Sequence, residues 1–278
     1  MKIGPLQCDF KKRFYVMGIL NVTPDSFSDG GAYHDPERAM DRVREMIAHG
    51  VDIIDIGGES TRPGAPGVSL EEELRRVQPV LKKIRQESNI PLSIDTRKAE
   101  VAQRALEAGT DMVNDVSAAT FDPEMVSVVK KWGVPLVVMH SRGDPKTMAS
   151  LADYGDVVLE VVRYLRQRVL DLTSQGVPFD KLILDPGLGF AKKPEHNWQI
   201  LHRLELLCQL PQPILIGHSN KSFISNILGN KPHQLHDGNI AVAVLARMKG
   251  AGMIRVHEVA SMVRVRRVME AYEGGLRE

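Results

Sequence analysis

Eight short apolar segments, each followed by a polar loop and a helical pattern, most constrain how this 278-residue chain can fold. The segments are too short for buried helices and are rich in β-forming residues, so they predict buried strands. They are residues 14–20, 51–56, 91–94, 111–113, 135–139, 181–184, 213–216 and 252–256. Strands that alternate with helices in this way predict an α/β fold, a (β/α)8 TIM barrel, formed by a single domain over residues 1–278.

Helical patterns occupy the spaces between the predicted strands, and several end at a glycine. They cover residues 36–49, 69–86, 98–108, 124–132, 156–175, 195–208, 222–228, 240–249 and 259–272. A doubly wound open sheet is the alternative architecture. The even spacing of the apolar segments disfavours it, as does the absence of a Gly-x-Gly-x-x-Gly motif before the first helix.

Composition excludes several classes of function. The chain has 36 basic and 35 acidic residues, which does not provide the strong basic field that nucleic acid binding requires. It contains no apolar segment of the ~18 residues needed to span a bilayer and no pattern of a signal peptide, so we expect no membrane partner. Cys8 and Cys208 have neither paired spacing nor metal-type neighbours. They indicate a reduced protein, and we expect it to be cytoplasmic.

Polar residues follow the predicted strands at their C-terminal ends, which meet at one mouth of a barrel. They are Asn21, Asp55, Thr61, Arg62, Asp95, Asn114, Asp115, His140, Asp185, Ser219, Lys221, Arg255 and His257. Closing a barrel does not require so many charged and amide side chains, so they predict a binding site. For three of them a structural role is simpler. We expect Asp55 and Asp115 to satisfy loop amides and His140 to form hydrogen bonds in the core.

The residue types at this mouth suit a flat nitrogen heterocycle. Its amino and ring N–H groups need acceptors such as Asp95 and Asp185. Its carbonyl and ring nitrogen atoms need donors, which Asn114 and Lys221 can supply. We therefore predict that a planar heterocycle is held deep in the mouth.

The last predicted strand adds a site for an anion. Arg255 and His257 are two residues apart on that strand, so their side chains face the same side of it. Two such donors suit a phosphate, which barrels often bind near their last two strands.

Two long motifs resemble the signatures of the dihydropteroate synthase family. They are GILNVTPDSFSDGG at residues 18–31 and DIGGESTRPG at residues 55–64. Shorter motifs match in order, namely IDT at 94–96, NDVS at 114–117, MH at 139–140, DPGLGF at 185–190 and RVH at 255–257. The resemblance spans essentially the whole chain. It implies a (β/α)8 barrel, usually a homodimer, that joins 6-hydroxymethyl-7,8-dihydropterin diphosphate to p-aminobenzoate on the route to folate. Sulfonamides compete with p-aminobenzoate in this family.

The resemblance also implies roles for individual residues. Asp95, Asn114, Asp185 and Lys221 would hold the pterin, and Asn21 would bind Mg²⁺, the implied cofactor. The reaction would be SN1-like, with diphosphate leaving before the arylamine attacks.

The diphosphate would be held by Thr61, Arg255 and His257 together with the metal ion. An ionised Asp95 would stabilise the pterin cation left by its departure. Asp95, Lys221, Arg255 and His257 are therefore the predicted catalytic residues.

The arylamine pocket would be shaped by the first two loops. Residues 24–27 and 61–63, which include Arg62, would close over the site and exclude water. Phe190, Ser219 and Lys221 would complete the pocket.

Two alternatives share the barrel and the pterin acceptors. A pterin-binding methyl-transfer module would work with a corrinoid partner, but a methyl donor needs neither the loop around Arg62 nor the pair Arg255 and His257. A non-catalytic pterin-binding paralogue is supported only by Asn220, which stands where the family usually has Arg. This change removes a cation and a bidentate donor, and we expect it to affect p-aminobenzoate affinity, the sulfonamide response or the local loop.

Overall fold

The barrel strands and a small hairpin are described in a computed structural model that covers residues 1–23, 36–60, 64–144 and 146–275. The strands in these ranges are β1 (Lys2–Ile3), β2 (Leu6–Gln7), β3 (Tyr15–Asn21), β4 (Ile53–Gly57), β5 (Leu92–Asp95), β6 (Met112–Asp115), β7 (Leu136–Met139), β8 (Leu182–Asp185), β9 (Leu215–Ile216) and β10 (Met253–Val256). Eight of them form one parallel sheet in the order β8-β7-β6-β5-β4-β3-β10-β9. A bridge between Leu184 of β8 and Ile214, which precedes β9, joins the two ends of this sheet.

Helices follow the barrel strands and cover the outside of the sheet. In the described part of the chain they are α1 (Pro36–Ala48), α2 (Leu70–Glu87), α3 (Ala99–Glu107), α4 (Met125–Trp132), α5 (Val157–Ser174), α6 (Pro194–His202), α7 (Glu205–Cys208), α8 (Ser222–Leu228), α9 (Pro232–Met248) and α10 (Val259–Gly275). The predicted (β/α)8 barrel is therefore confirmed. None of these helices is long and apolar enough to cross a lipid bilayer.

Local sequence signals explain where two of the longest helices begin. Ser69 caps α2 by accepting a hydrogen bond from the backbone N–H of Glu72, and acidic residues fill the first turn. Asp156 caps α5 by accepting from the N–H groups of Val158 and Leu159. Oxygen acceptors at these positions satisfy N–H groups that have no partner within the helix, so both starts follow the sequence pattern.

Alternation along the strands divides the barrel interior into two layers. The lower layer is an apolar plug that consists of Tyr15, Met17, Ile53, Met112, Val137, Ile183, Leu215 and Met253, closed below by Ile3 and Cys8. A side chain two residues further along a strand points to the same side. The inward positions above the plug therefore include Asp55, Asn114, Asp185 and Arg255. Asp95 has the same place on β5, two residues after the buried Ser93, and the fold brings these polar groups together.

Several predicted boundaries differ from the observed elements. The predicted helix 195–208 is broken at Arg203 into α6 and α7, and the predicted helix 240–249 begins earlier, at Pro232. Only Leu215–Ile216 of the predicted strand 213–216 pairs with β10. The hairpin of β1 and β2 was not predicted, because strands of two residues leave no periodic signal.

Candidate active site

A cavity of about 610 Å³ lies at the C-terminal mouth of the barrel. Every predicted site residue that the structure describes lines this cavity, namely Asn21, Asp95, Asn114, Asp185, Phe190, Ser219, Lys221, Arg255 and His257. Thr61 and Arg62 lie outside the described residues, as do residues 24–27 of the first loop. The barrel thus brings together side chains that are far apart in sequence, at the mouth where they were predicted.

The floor of the cavity is an ionic cluster built around one guanidinium group. Arg255 donates from Nε to Asp55 Oδ2 and from Nη2 to Asp95 Oδ2, and the donor–acceptor distance is 2.5 Å in both hydrogen bonds. Asn114 donates from Nδ2 to the same Asp55 oxygen over 2.9 Å. The prediction that Asp55 satisfies loop amides is therefore wrong, because strand alternation turns it inward beneath Arg255 and Asn114.

Asp115 has the structural role that was predicted for it. Its carboxylate accepts hydrogen bonds from the backbone N–H groups of Ser117 and Ala119 and from the Ser117 hydroxyl. It therefore holds the loop after β6. Ala118 and Ala119 in this loop both adopt positive φ, a conformation that glycine adopts at lower cost.

Asp95 is a carboxylate of the floor whose pKa is raised by burial. Burial raises its pKa to about 7, against the opposing charge of Arg255, and the nearby charge of Asp55 adds to the increase. Burial disfavours the ionised form, whereas a paired cation favours it. A ligand that brings positive charge close to Asp95 would therefore favour its ionised form.

Two further side chains offer acceptors to a ligand. Asn114 turns its nitrogen toward Asp55, which can only accept when ionised, so its amide oxygen remains as an acceptor. Asn114 was predicted to act as a donor toward the ligand, and this orientation makes its amide oxygen available as an acceptor as well. Asp185 accepts from the N–H of Gly187 over 2.7 Å, and burial raises its pKa.

Lys221 forms one side of the cavity together with Phe190. Its ammonium group donates to the carbonyl oxygen of Leu188 and lies 4.3 Å from the centre of the Phe190 ring. Burial lowers the pKa of Lys221 to about 8, although the charge of Asp185 opposes this effect. A lysine beside an aromatic ring provides both a donor and a flat apolar surface.

The mouth of the cavity is lined by His257, Ser219 and Asn21. The Ser219 hydroxyl accepts from the backbone N–H of His257 over 3.2 Å and lies 2.9 Å from its Nδ1. Arg255 and His257 both line the cavity, so the prediction that they face the same side is confirmed. A Cβ on Gly57 would lie 3.6 Å from Asn21 Oδ1, so this side chain adjoins β4 at the rim.

The unusual Asn220 has a structural explanation. It adopts a φ of 56° and forms two hydrogen bonds with Asn239, one through its backbone N–H and one through its side-chain oxygen. Asparagine tolerates the left-handed conformation better than most residues with side chains. Asn220 therefore fixes the loop between Ser219 and Lys221 onto α9.

Comparison with known proteins identifies the family. Residues 17–257 match the model of a family described as pterin binding enzymes. A dihydropteroate synthase of Synechocystis is 47% identical to the chain over 98% of its length and 94% of the relative. The chain belongs to the dihydropteroate synthase family. It is a transferase of folate biosynthesis, and this finding favours the synthase over the methyl-transfer module and the non-catalytic paralogue.

Solved structures of dihydropteroate synthases share the fold. The enzyme of Xanthomonas albilineans with 4-aminobenzoic acid is 43% identical, with a TM-score of 0.88 over 94% of this chain and 93% of that one. The Yersinia pestis dihydropteroate synthase in a sulfonamide drug complex is 40% identical, with a TM-score of 0.92 over 99% of both chains. These values show that the barrel of this family member is that of the dihydropteroate synthases.

Some residues of this dihydropteroate synthase site were not found from the sequence. Glu59 and Ser60 line the cavity, and Glu59 forms ion pairs with Arg97 and Lys98. The inward orientation of Asp55 could have been predicted, because Asp55 and Gly57 are two residues apart on β4 and therefore face the same side of the strand. Lys192, which donates to the carbonyl oxygen of the cavity residue Phe190, had no such signal, because its contacts depend on the turns of the preceding loop.

Proposed function

We propose that the two substrates are 6-hydroxymethyl-7,8-dihydropterin diphosphate and p-aminobenzoate. The observation that carries this proposal is the buried layer of Asp95, Asn114 and Asp185, which presents acceptors toward one cavity. Buried acceptors without a ligand are costly, so a flat ring rich in N–H groups is the ligand that suits them. The binding of 4-aminobenzoic acid to the related Xanthomonas albilineans enzyme supports the choice of arylamine.

The pterin ring would lie on the floor of the cavity, with its amino and ring N–H groups toward Asp185 and Asn114. Lys221 would donate to an acceptor of the ring and cover it from the side. Asp95, whose pKa is raised to about 7 by burial, would face the part of the ring that becomes positively charged.

The diphosphate would lie at the mouth, above the floor. Arg255 donates from Nε to Asp55 and from Nη2 to Asp95. Within the described part of the chain, its Nη1 group is left to bind an anion. His257 and Ser219 lie at the rim of the same cavity. Thr61 would add a hydroxyl group from the second loop.

Asn21 fits a magnesium ion that is held mainly by the substrate. The described residues contain no group of three or more His, Cys, Asp or Glu side chains that could enclose a metal. Mg²⁺ commonly keeps several waters and binds through one or two protein oxygens together with substrate phosphates. The amide oxygen of Asn21 would be such a ligand, and the ion would neutralise charge on the leaving diphosphate.

The transfer would begin with cleavage of the bond between the pterin methylene carbon and the diphosphate oxygen. The diphosphate would leave with the electron pair, and Asp95 would stabilise the resulting cation in its ionised form. The arylamine nitrogen would then form the new carbon–nitrogen bond and lose a proton to water. Arg255 and His257 would stabilise the departing anion, and no residue would become covalently attached.

The arylamine would bind between Phe190, Ser219 and Lys221 at the side of the cavity. Residues 24–27 and 61–63, including Arg62, would complete this pocket and exclude water. Because Asn220 contributes no cation, recognition of the p-aminobenzoate carboxylate would rely on neutral donors and on Lys221.

The proposal includes the assembly and location of the protein. We propose a homodimer formed by a single-domain chain, supported by an exposed apolar patch on α9 and α10 that consists of Leu245, Met248, Val268 and Tyr272. A cytoplasmic location agrees with the free thiols of Cys8 and Cys208. The near balance of 36 basic and 35 acidic residues gives no support for nucleic acid as a partner.

Trapping in the absence of the arylamine tests the mechanism. The enzyme would be incubated with the pterin diphosphate and Mg²⁺ and then examined by intact-protein mass spectrometry. We expect slow release of diphosphate, a pterin alcohol formed with water and an unchanged protein mass. A protein carrying a covalent pterin would contradict the SN1-like mechanism, and turnover that persists after chelation would contradict the requirement for Mg²⁺.

A further inference from the structure

The end of β8 and the loop after it carry three groups of the site, and the loop has an unusual backbone. Asp185, the carbonyl of Leu188 and the ring of Phe190 all come from this segment. Its φ is 68° at Gly187, 80° at Gly189 and 47° at Ala191, so it pairs neither as a strand nor as a helix. A Cβ on Gly187 would lie 2.1 Å from the His140 carbonyl oxygen, which shows how closely the loop follows the end of β7. Such a segment depends on side chains to hold it in place.

Lys192 is a partly buried lysine that the proposed reaction does not use. Its Nζ donates to the carbonyl oxygen of Phe190 over 2.9 Å and to that of His140 over 3.4 Å, and it lies 2.9 Å from His140 Nδ1. The two carbonyl oxygens can only accept, so Lys192 joins the loop to the end of β7. Burial lowers the pKa of Lys192 well below its usual value, and burial also lowers the pKa of His140 to about 2.

The Phe190 ring borders a second cavity besides the substrate cavity. This second cavity has a volume of about 110 Å³ and is also lined by Tyr164, Ser117 and Met148. Phe190 lines both cavities, as do Val116 and Met148, so a shift of its ring would change the shape of the substrate cavity. Other anchors hold its neighbours, since Asn197 accepts from the N–H of Gly189 and Tyr154 donates to the carbonyl of Ala191. Lys192 acts on the Phe190 carbonyl itself.

We propose that Lys192 is a positioning residue that holds Phe190 against Lys221 and thereby shapes the arylamine side of the site. The inference rests on the proposed function, because it assigns Phe190 and Lys221 to p-aminobenzoate. Lys192 itself touches no substrate. Its effect reaches the reaction through the Phe190 ring and should therefore fall on the arylamine more than on the pterin. The pterin acceptors Asp95 and Asn114 belong to other strands, and the third, Asp185, is held within strand β8.

Steady-state kinetics of Lys192→Met in the full chain tests this role, with Lys193→Met as the matched control. Lys193 is the next residue and is exposed, so its side chain can be changed without altering the loop. We expect Lys192→Met to raise the KM for p-aminobenzoate about tenfold or more, a size typical of a small misplacement in an active site. The KM for the pterin diphosphate should change less than about threefold, and the control should resemble the wild type.

A double-mutant cycle with Phe190→Ala completes the test. If Lys192 acts through the ring, Lys192→Met should have almost no further effect on the arylamine KM once the ring is removed. Equal increases in both KM values, no increase, or full additivity in the cycle would overturn the proposal. If Lys192→Met does not fold, Lys192→Gln, which keeps an NH2 donor group on a shorter side chain, replaces it in the same cycle. A wild-type protein that forms no dihydropteroate would instead contradict the proposed function.

Discussion

Asp95 lies between two opposing influences, burial that favours its neutral form and the Arg255 guanidinium that favours its ionised form. Burial dominates and raises its pKa to about 7. The ionised form is the one that would stabilise a pterin cation. Activity should therefore be present above this pKa and be lost as the pH falls through about 7.

The pH dependence of kcat tests this role of Asp95. We expect the rate of the wild type to rise between about pH 5.5 and 8.5, and Asp95→Asn to lose about 100-fold in kcat and to lack the acidic limb. The asparagine side chain keeps the shape and cannot ionise. An Asp95→Asn variant with the same acidic limb as the wild type would assign that limb to another group.

Asn220 suits its position because asparagine tolerates the left-handed backbone conformation found there. Its φ of 56° is easier for glycine than for alanine, and either substitution removes the side-chain contact with Asn239. We expect Asn220→Ala to lower the free energy of unfolding by about 1 kcal/mol more than Asn220→Gly does. Urea denaturation of the two variants measures the difference. Equal stabilities would show that the left-handed conformation imposes no strain at this position.

At the scale of elements, a buried ionic cluster joins α2, the start of α3 and the end of β4. Lys98 forms ion pairs with Glu73 over 2.5 Å and with Glu59 over 2.6 Å, and Glu73 is completely buried. Glu59 also lines the substrate cavity and precedes residues 61–63. The cluster therefore fixes the base of the second loop.

Removing the shared cation should be costly. Lys98→Met leaves Glu73 without its described ion pair, and we expect the free energy of unfolding to fall by about 3 kcal/mol. Lys82→Met, on an exposed position of α2, is the matched control and should change stability by less than about 0.5 kcal/mol. Urea denaturation of both variants measures the two effects. A loss as small as that of the control would mean that the cluster is not a stabilising anchor.

Elements were predictable where periodicity and capping agreed. The barrel strands, Ser69 and Asp156 as caps and the inward polar layer all follow from local patterns. The break between α6 and α7 at Arg203 does not follow from such a pattern, because apolar residues continue through it. The early start of α9 at Pro232 does not either, because the first residues of that helix are mostly polar. The ion pair of Asp55 with Arg255 joins β4 and β10, which are far apart in the sequence. The contacts of Lys192 depend on residues with positive φ in the preceding loop. Neither is therefore a local property of the sequence.

For the whole molecule, the exposed patch on α9 and α10 predicts self-association. The two helices pack side by side, and Leu245, Met248, Val268 and Tyr272 are all exposed. Exposed apolar patches of this kind commonly mark an interface. The patch lies on the outside of the barrel and does not include the cavity residues.

Sedimentation of two lysine variants tests the assembly. Met248 on α9 and Leu170 on α5 are each 63% exposed, so they differ in location rather than in accessibility. We expect Met248→Lys to weaken the dimer at least tenfold, and Leu170→Lys to leave it unchanged. A wild-type monomer would contradict the proposed homodimer, and a dimer that withstands Met248→Lys would place the interface elsewhere.

The formation of dihydropteroate from the two proposed substrates tests the central claim most directly. Purified enzyme would be supplied with the pterin diphosphate, p-aminobenzoate and Mg²⁺, and diphosphate and dihydropteroate would be measured in the same tube. We expect equal amounts of both products from the wild type and almost none from Asp95→Ala or Arg255→Ala. Tight pterin binding without dihydropteroate, or variants as active as the wild type, would contradict the function assigned to this site.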